Sequence, residues 1–414
     1  MKVLWITNSA FPVISNQMTT KVPIKGWTHS AAKALIAAFN DIELAIASIH
    51  TVSNLKQIQS DKIIHFLVPQ AAKTYAKNKR YDYIWRNIKD EFNPDIVHIH
   101  GTEYPYSYAY IRACGSKNVV VSIQGLISVI ERYYFGGIKK LDILKSITVR
   151  DLLKFDTLFT RHRNLLERST YEKLLIKDVN HIIGRTSWDK AHVWALNPDA
   201  NYHFCNETLR PSFYNKKWTI KGCERYSIFI SQANYPLKGL QQLVKAMPLV
   251  LKYYPQITVY VAGTNYFTNR GIRISGYGKY INRLLKKHKL SNHFIFTGPL
   301  SEQEMCRQFL KSNVYINLSA IENSPNSVGE AQMLGVPCIA SFVGGTSDMV
   351  EHEETGLMYR FEEYEMLAYY IYKIFSDDEF AIRLSENAIK QAVNRHDELI
   401  NAKALHQIYL KMFS

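Results

Sequence analysis

Ser319-Ala320-Ile321-Glu322-Asn323-Ser324-Pro325-Asn326-Ser327-Val328-Gly329-Glu330-Ala331 is the stretch on which the reading of this chain turns. A buried apolar run ends at Leu318, a polar loop of turn-forming residues follows, and an apolar helical pattern begins near Asn326 or Ser327, either of which is a good N-cap. A strand that turns directly into a helix exposes unpaired backbone N–H groups, and the helix dipole adds to their attraction for a phosphate. Glu330, about one turn in, is spaced to accept hydrogen bonds from vicinal hydroxyls, and Glu322, before the turn, to hold a second polyol. Taken alone, the two glutamates are more simply read as a dipole-complementing helix residue, Glu330, and a solvated loop residue, Glu322.

The residues beyond shift that balance. Gly335-Val336-Pro337 stops the helix, 338–341 is a short apolar strand, and Gly344-Gly345-Thr346-Ser347-Asp348 forms the next loop. The same alternation runs through the whole chain. Strand-like runs fall at 3–7, 43–48, 63–68, 95–99, 119–123 and 181–183, and again at 226–230, 258–262, 294–296 and 314–318. Helical patterns lie between them, at 28–39, 240–252, 280–288, 302–310 and 328–334. Such alternation implies parallel sheets joined by right-handed crossovers. It occurs twice, with a break at about 197–224 that contains Asn197-Pro198, Pro211 and Gly222.

At 414 residues the chain is long enough for two domains of about 200 residues each. The expected fold class is therefore α/β, with two doubly wound, Rossmann-like domains facing a central cleft. The expected boundaries are 1–205 and 206–394, with a C-terminal helix in 395–414 crossing back to the first domain. Ligands of such sheets bind at the carboxyl ends of the strands.

With these residues in view, the chain resembles glycosyltransferase family 4, the retaining group 1 transferases of GT-B fold. The family signature of a Glu, seven residues, a second Glu with Ala, a Gly-x-Pro turn and a Gly-Gly loop reads here as Glu322, Glu330-Ala331, Gly335-Val336-Pro337 and Gly344-Gly345. Asp348 stands where the family usually has Glu. The resemblance implies a nucleotide-sugar donor, with Glu330 on its ribose, Glu322 at the transferred sugar, and Ser324, Pro325, Asn326 and Ser327 offering backbone groups to sugar and phosphates. It also implies that Lys238, in Ser231-Gln232-Ala233-Asn234-Tyr235-Pro236-Leu237-Lys238-Gly239, binds the diphosphate. The arginine that accompanies this lysine in the family is absent: Gln232 or Ala233 holds its place, and Arg210 is a candidate substitute.

In the first half, Lys25-Gly26-Trp27 resembles the family's glycine-rich loop, which would bring Gly26 close to the donor phosphates. Gln124, in Val121-Ser122-Ile123-Gln124-Gly125, stands where many relatives carry a histidine at the reacting sugar. Glutamine can hydrogen-bond a hydroxyl but cannot titrate, so this position cannot be a general base. The resemblance then assigns catalysis to Glu322, Lys238 and Gln124, with the acceptor proton leaving on a diphosphate oxygen. His98 and His100, in Asp95-Ile96-Val97-His98-Ile99-His100-Gly101-Thr102-Glu103, are expected on opposite strand faces, one packed in the sheet and one reaching the cleft. His100, Thr102 and Glu103 are the candidate acceptor contacts. No further ligands accompany the His-x-His pair and the chain has no Asp-x-Asp, so neither a metal nor a cofactor is expected. Ser275-Gly276-Tyr277-Gly278 reads as a loop.

The formal charge of +15 calls for an anionic partner. Residues 132–173 interleave Lys and Arg with Tyr133, Phe135, Leu141, Leu144, Leu152 and Phe155, a pattern suited to an anionic membrane surface; 268–289 carries basic side chains and no acidic ones. No nucleic-acid module is recognisable. Five scattered cysteines without a CxxC pair argue against a disulfide framework or zinc site. The short apolar start at 3–6 reads as a first strand rather than a signal peptide, and no run approaches a membrane span of about 18 residues. The expectation is a soluble, cytoplasmic enzyme, in contact with the inner membrane face, that acts on a saccharide or lipid-linked saccharide. A catalytically silent nucleotide-sugar binder and a nucleotide-sugar epimerase on the same scaffold are the alternatives.

Overall fold

The computed structural model describes residues 1–8, 26–60, 62–70, 79–263 and 273–413, and within them fourteen β-strands in two sheets carry the architecture. The chain divides into two units: 1–129 with 165–210 and 395–414, and 130–164 with 211–394. Residues 130–164, placed by the expected boundary in the first domain, belong to the second unit, where Ile138 and Ile143 enter its core.

In the first unit the strands are β1 (Lys2–Thr7), β2 (Glu43–His50), β3 (Lys56–Ser60), β4 (Ile63–Pro69), β5 (Ile96–His100), β6 (Val119–Ser122), β7 (His181–Gly184) and β8 (Asn201–Phe204). Their order across the sheet is β3-β4-β2-β1-β5-β6-β7-β8, parallel except for the β3–β4 pair. β1 is covered on both faces, so its residues 3–6 are apolar without interruption: Leu4 and Ile6 enter one cluster, Val3 and Trp5 the other. The last helix, Glu398–Phe413, packs against helix Gly26–Ala38. Tyr409 on that last helix accepts a hydrogen bond from Trp5 Nε1 at 2.9 Å.

The second unit has β9 (Glu224–Ile230), β10 (Thr258–Ala262), β11 (Phe294–Gly298), β12 (Ser312–Asn317), β13 (Cys338–Ser341) and β14 (Leu357–Tyr359). The order is β11-β10-β9-β12-β13-β14, and every pairing is parallel. From β9 the chain winds outward through β10 to β11, then returns to β12 on the other side of β9. This reversal opens a crevice between the carboxyl ends of β9 and β12. The residues that follow those two strands include Lys238 and Glu322.

Ser275-Gly276-Tyr277-Gly278, expected as a loop, begins the helix Gly276–Lys287. The Ser275 hydroxyl caps it by accepting from Gly278 N at 3.2 Å, and Tyr277 is buried. Among the described residues no helix is long and apolar enough to cross a membrane.

Candidate active site

Three loops of the second unit meet at the β9–β12 crevice, held by main-chain groups. After β9 a single 3₁₀ turn, Pro236–Lys238, ends at Gly239, whose φ of 73° is left-handed. A Cβ at Gly239 would collide with the Leu318 carbonyl just beyond β12, so only glycine allows the two loops to approach this closely. Ala320 N donates to Leu237 O at 2.7 Å and fixes the approach. The third loop closes on the same point: Gly344 is left-handed, a Cβ on it would strike the Glu322 carbonyl, and Gly345 N donates to that carbonyl at 3.0 Å. The Lys-Gly and Gly-Gly pairs of the sequence are thus the contact points of one frame.

Inside this frame Lys238 Nζ pairs with Glu322 Oε1, and the Ser319 hydroxyl donates to the same oxygen at 2.7 Å. The two side chains are only 18% and 17% exposed. Burial pulls the ammonium pKa down, but the Glu322 carboxylate beside it outweighs burial and holds Lys238 above the ordinary lysine range. Lys238 therefore stays protonated at every physiological pH, paired with the Glu322 carboxylate. Around it, Ser231, Gln232, Asn317, Ser319 and Ser327 line a recess of about 260 Å³.

Helix Asn326–Leu334 begins at this recess, though not as expected. Neither Asn326 nor Ser327 is the N-cap. Pro325 occupies that position, and no side chain caps the helix. A proline there has no N–H and its ring pre-sets φ, here −70°, while its carbonyl accepts from Val328 N at 2.9 Å. Ser327 is instead engaged through its hydroxyl, which accepts from Tyr315 OH at 2.8 Å; Tyr315 OH also lies 3.0 Å from Ser231 Oγ. Glu330 is buried in this helix, and Ser324 Oγ lies 3.4 Å from Met349 Sδ. Of the two positions that could stand for the missing arginine, Ala233 is buried and Gln232 is exposed at the recess. Arg210 ends the 165–210 segment of the first unit.

In the first unit a cavity of about 520 Å³ lies at the carboxyl ends of β1, β5 and β6. Gln124 lines it, donating through Nε2 to Glu207 Oε1 at 2.8 Å and accepting from Arg185 Nη2 at 3.4 Å. Arg185 and Glu207 form a buried ion pair behind it. His100 lines the same cavity, 5% exposed, its ring 4.4 Å from Trp5 and 6.0 Å from Trp27. Neither ring nitrogen has a hydrogen-bond partner among the described residues. Burial, helped by the Arg185 charge, pushes its pKa down to about 3, so the ring is neutral.

His98 and His100 do not lie on opposite faces. Two residues apart on one strand, they share a face, with ring centroids 3.8 Å apart. His98 lies within hydrogen-bond distance of Tyr409 OH (2.6 Å) and Ser122 Oγ (2.5 Å). Thr102 is not a free contact either: it is buried, and its hydroxyl donates to Glu172 Oε2 at 2.6 Å, a carboxylate that also receives Ile127 N and Ser128 N. The Glu103 carbonyl accepts from Arg168 Nε and Nη2, and Glu103 is not among the residues lining the cavity. Gly26 opens the helix Gly26–Ala38, while Lys25 and the loop before it lie outside the described residues. Sequence reasoning missed Arg185 and Glu207. The available signal was a charge directly after a buried strand, Gly184-Arg185, where a parallel sheet presents its ligand edge.

Two α/β units, each built on a sheet that is parallel but for the β3–β4 pair in the first, have the architecture of the GT-B fold, and solved structures agree. A sucrose-phosphate synthase from Thermosynechococcus elongatus is similar with a TM-score of 0.74 at 15% identity, covering 100% of this chain and 99% of that one. Anabaena HepE, solved in complex with UDP-glucose, gives 0.68 at 13% identity, covering 99% of both chains. In sequence, the chain is 24% identical over 319 residues to the putative glycosyltransferase YtcC of Bacillus subtilis strain 168, 76% of this chain and 72% of that protein. Residues 212–391, all within the second unit, match the family described as glycosyl transferases group 1.

Proposed function

We propose that this protein is a retaining glycosyltransferase that moves a sugar from a nucleotide-sugar to a saccharide or lipid-linked saccharide, in surface polysaccharide or glycoconjugate assembly at the inner face of a membrane. The observation that carries the reading is the permanently charged Lys238, held by Glu322 beside an uncapped helix start at the β9–β12 switch point. An anionic diphosphate seated there meets the ammonium and the backbone N–H groups of Asn326 and Ser327 together. Lys238 has three donors, so it can serve a phosphate oxygen while Glu322 turns to a sugar hydroxyl. Glu330 then holds the ribose, and Ser324 and Pro325 border the sugar and phosphates. That HepE was solved with UDP-glucose supports a donor of this class.

In the proposed reaction the acceptor hydroxyl attacks the anomeric carbon on the face from which the diphosphate departs. The bond from that carbon to the diphosphate oxygen breaks, and the acceptor proton passes to the leaving oxygen. No protein group has to titrate, which suits Gln124 and the neutral His100. Their part, with Gly26, is to position sugar and acceptor. Neither a metal nor a cofactor takes part in this scheme.

Gln232 in place of the family arginine favours one alternative, a silent nucleotide-sugar binder. A thermal-shift screen against UDP-, GDP- and ADP-sugars finds the donor, since a ligand bound only by the folded state raises its stability. Turnover assays on the hit then decide: Glu330→Ala weakens donor binding and Glu322→Ala mainly lowers transfer. Wild-type turnover in both variants refutes the assignment, and binding without any sugar release identifies the silent protein.

A further inference from the structure

The helices Lys140–Ser146 and Val149–Leu153 of the second unit have one face that is fully committed and one that is not. Inward, Ile143 joins the core, the Thr148 hydroxyl donates to Ile274 O at 3.0 Å, and Asp142 pairs with Arg283 at 2.9 Å. The segment is therefore pinned to the neighbouring helix Gly276–Lys287, and its outer face is a rigid surface. Outward stand Leu141, Leu144, Val149, Leu152, Leu153 and Phe155, with Leu153 76% and Phe155 78% exposed. Phe155 also sits at a φ of 49°, a left-handed position that is costly for a bulky side chain and that asparagine or glycine would fill more easily. Among the described residues, nothing covers this apolar group.

The charges around it are one-sided. Each carboxylate of the segment is neutralised within the protein: Asp142 by Arg283, Asp151 by Arg150, and Asp156 by Arg150 and Arg161. Lys140, Lys145 and Lys154 are exposed, as are Lys279, Lys286 and Lys287 on the supporting helix, which has no acidic residue. Apolar side chains ringed by uncompensated lysines match the boundary between acyl chains and anionic headgroups. They suit a second copy of this chain poorly, since a two-fold contact would set lysines against lysines.

We infer that this face is a docking surface for an anionic lipid bilayer. The inference rests on the proposed lipid-linked acceptor and deepens that reading by naming where the enzyme meets the membrane. The test is sedimentation of the full chain with vesicles of phosphatidylglycerol and phosphatidylcholine, against vesicles of phosphatidylcholine alone. Wild type binds the former, less strongly as salt is raised. Replacing Lys140, Lys145 and Lys154 together by glutamine lowers the partition coefficient about a hundredfold, near fivefold per lysine. Leu153→Ser with Phe155→Ser lowers it by about a hundredfold or more, with the circular dichroism and melting temperature of wild type. Leu153→Trp shifts its emission to the blue only with the anionic vesicles.

Equal binding to both vesicles, or variants that bind like wild type, overturns the proposal. So does a dimer in sedimentation velocity that the serine variant dissociates while vesicle binding is absent. Donor turnover with a soluble acceptor, measured in parallel, separates the two readings. Its absence in wild type counts against the transferase assignment alone, and its persistence in the variants shows that lipid docking alone was lost.

Discussion

Replacing Gly239 by alanine tests the frame on which the proposed donor site hangs. Two costs follow from its geometry. Holding an L-residue at a φ of 73° costs about 1–2 kcal/mol. The new Cβ would also overlap the Leu318 carbonyl, a backbone atom just past β12 that cannot rotate away. The loops must therefore separate, which loses the Ala320 N–Leu237 O bond and loosens Lys238 from Glu322, for roughly another 2–3 kcal/mol. Gly298 is the control within the same unit: its φ is 77°, but a Cβ there would have no neighbour within 4 Å, so Gly298→Ala bears the first cost alone. Urea unfolding is read through the fluorotryptophan resonance of Trp218, a buried tryptophan of the second unit that donates to Ser312 O at 2.9 Å. The expected result is a loss for Gly239→Ala about 2–3 kcal/mol larger than for Gly298→Ala. Equal losses would refute the claim that the close approach of the two loops constrains residue 239.

The Lys238–Glu322 pair should show a coupling energy of about 2 kcal/mol in a stability cycle of Lys238→Met, Glu322→Gln and the double variant; additive effects would mean the pair is incidental. The first unit should be sensitive to acid, because burial holds His98 well below the ordinary imidazole range, His100 at about 3 and His396 at about 4. The unfolded chain takes up these three protons near pH 6.5 and the folded chain does not, so stability is complete above that pH and falls as pH drops towards 4. His100→Gln removes one of the protons and should reduce the slope of unfolding free energy by about 1.4 kcal/mol per pH unit over that window; an unchanged slope sinks the assignment. Gln124→Ala should lower kcat without moving the pH dependence of turnover, whereas a shifted limb would place residue 124 in proton transfer.

Central strands are legible in the sequence because burial on both faces leaves an unbroken apolar run, and β10 and β13 match their expected bounds to the residue. The edges are not. β3, Lys-Gln-Ile-Gln-Ser, is a polar, half-exposed strand paired on one side only, and β8 is likewise mostly open to solvent. The contacts of 130–164 with the second unit join residues more than a hundred positions apart, as Thr148 to Ile274, and no local pattern encodes such a pairing. Of the proposed donor site, the spacing of Glu322, Glu330, Lys238 and the glycines is readable, because it follows from strand-to-helix turns. The direct Lys238–Glu322 pairing is not, since it depends on β9 and β12 being neighbours. The opposite-face expectation for His98 and His100 fails on the period of a strand, which returns to the same face every second residue. The engagement of the Thr102 hydroxyl by Glu172 is not legible either, since nothing local signals a partner seventy residues away.

The frame around the recess is tied by main-chain bonds, Ala320 N to Leu237 O and Gly345 N to Glu322 O, with Gly239 close against the Leu318 carbonyl. Main-chain ties are indifferent to the side chains hung between them. Gln232, Ser324 and Asn326 can accordingly be randomised as a set while Gly239 and Gly344 are kept. The second unit then offers a chassis for laboratory evolution, in which selectivity for the base or sugar of the proposed donor can be rewritten without refolding the domain that carries it.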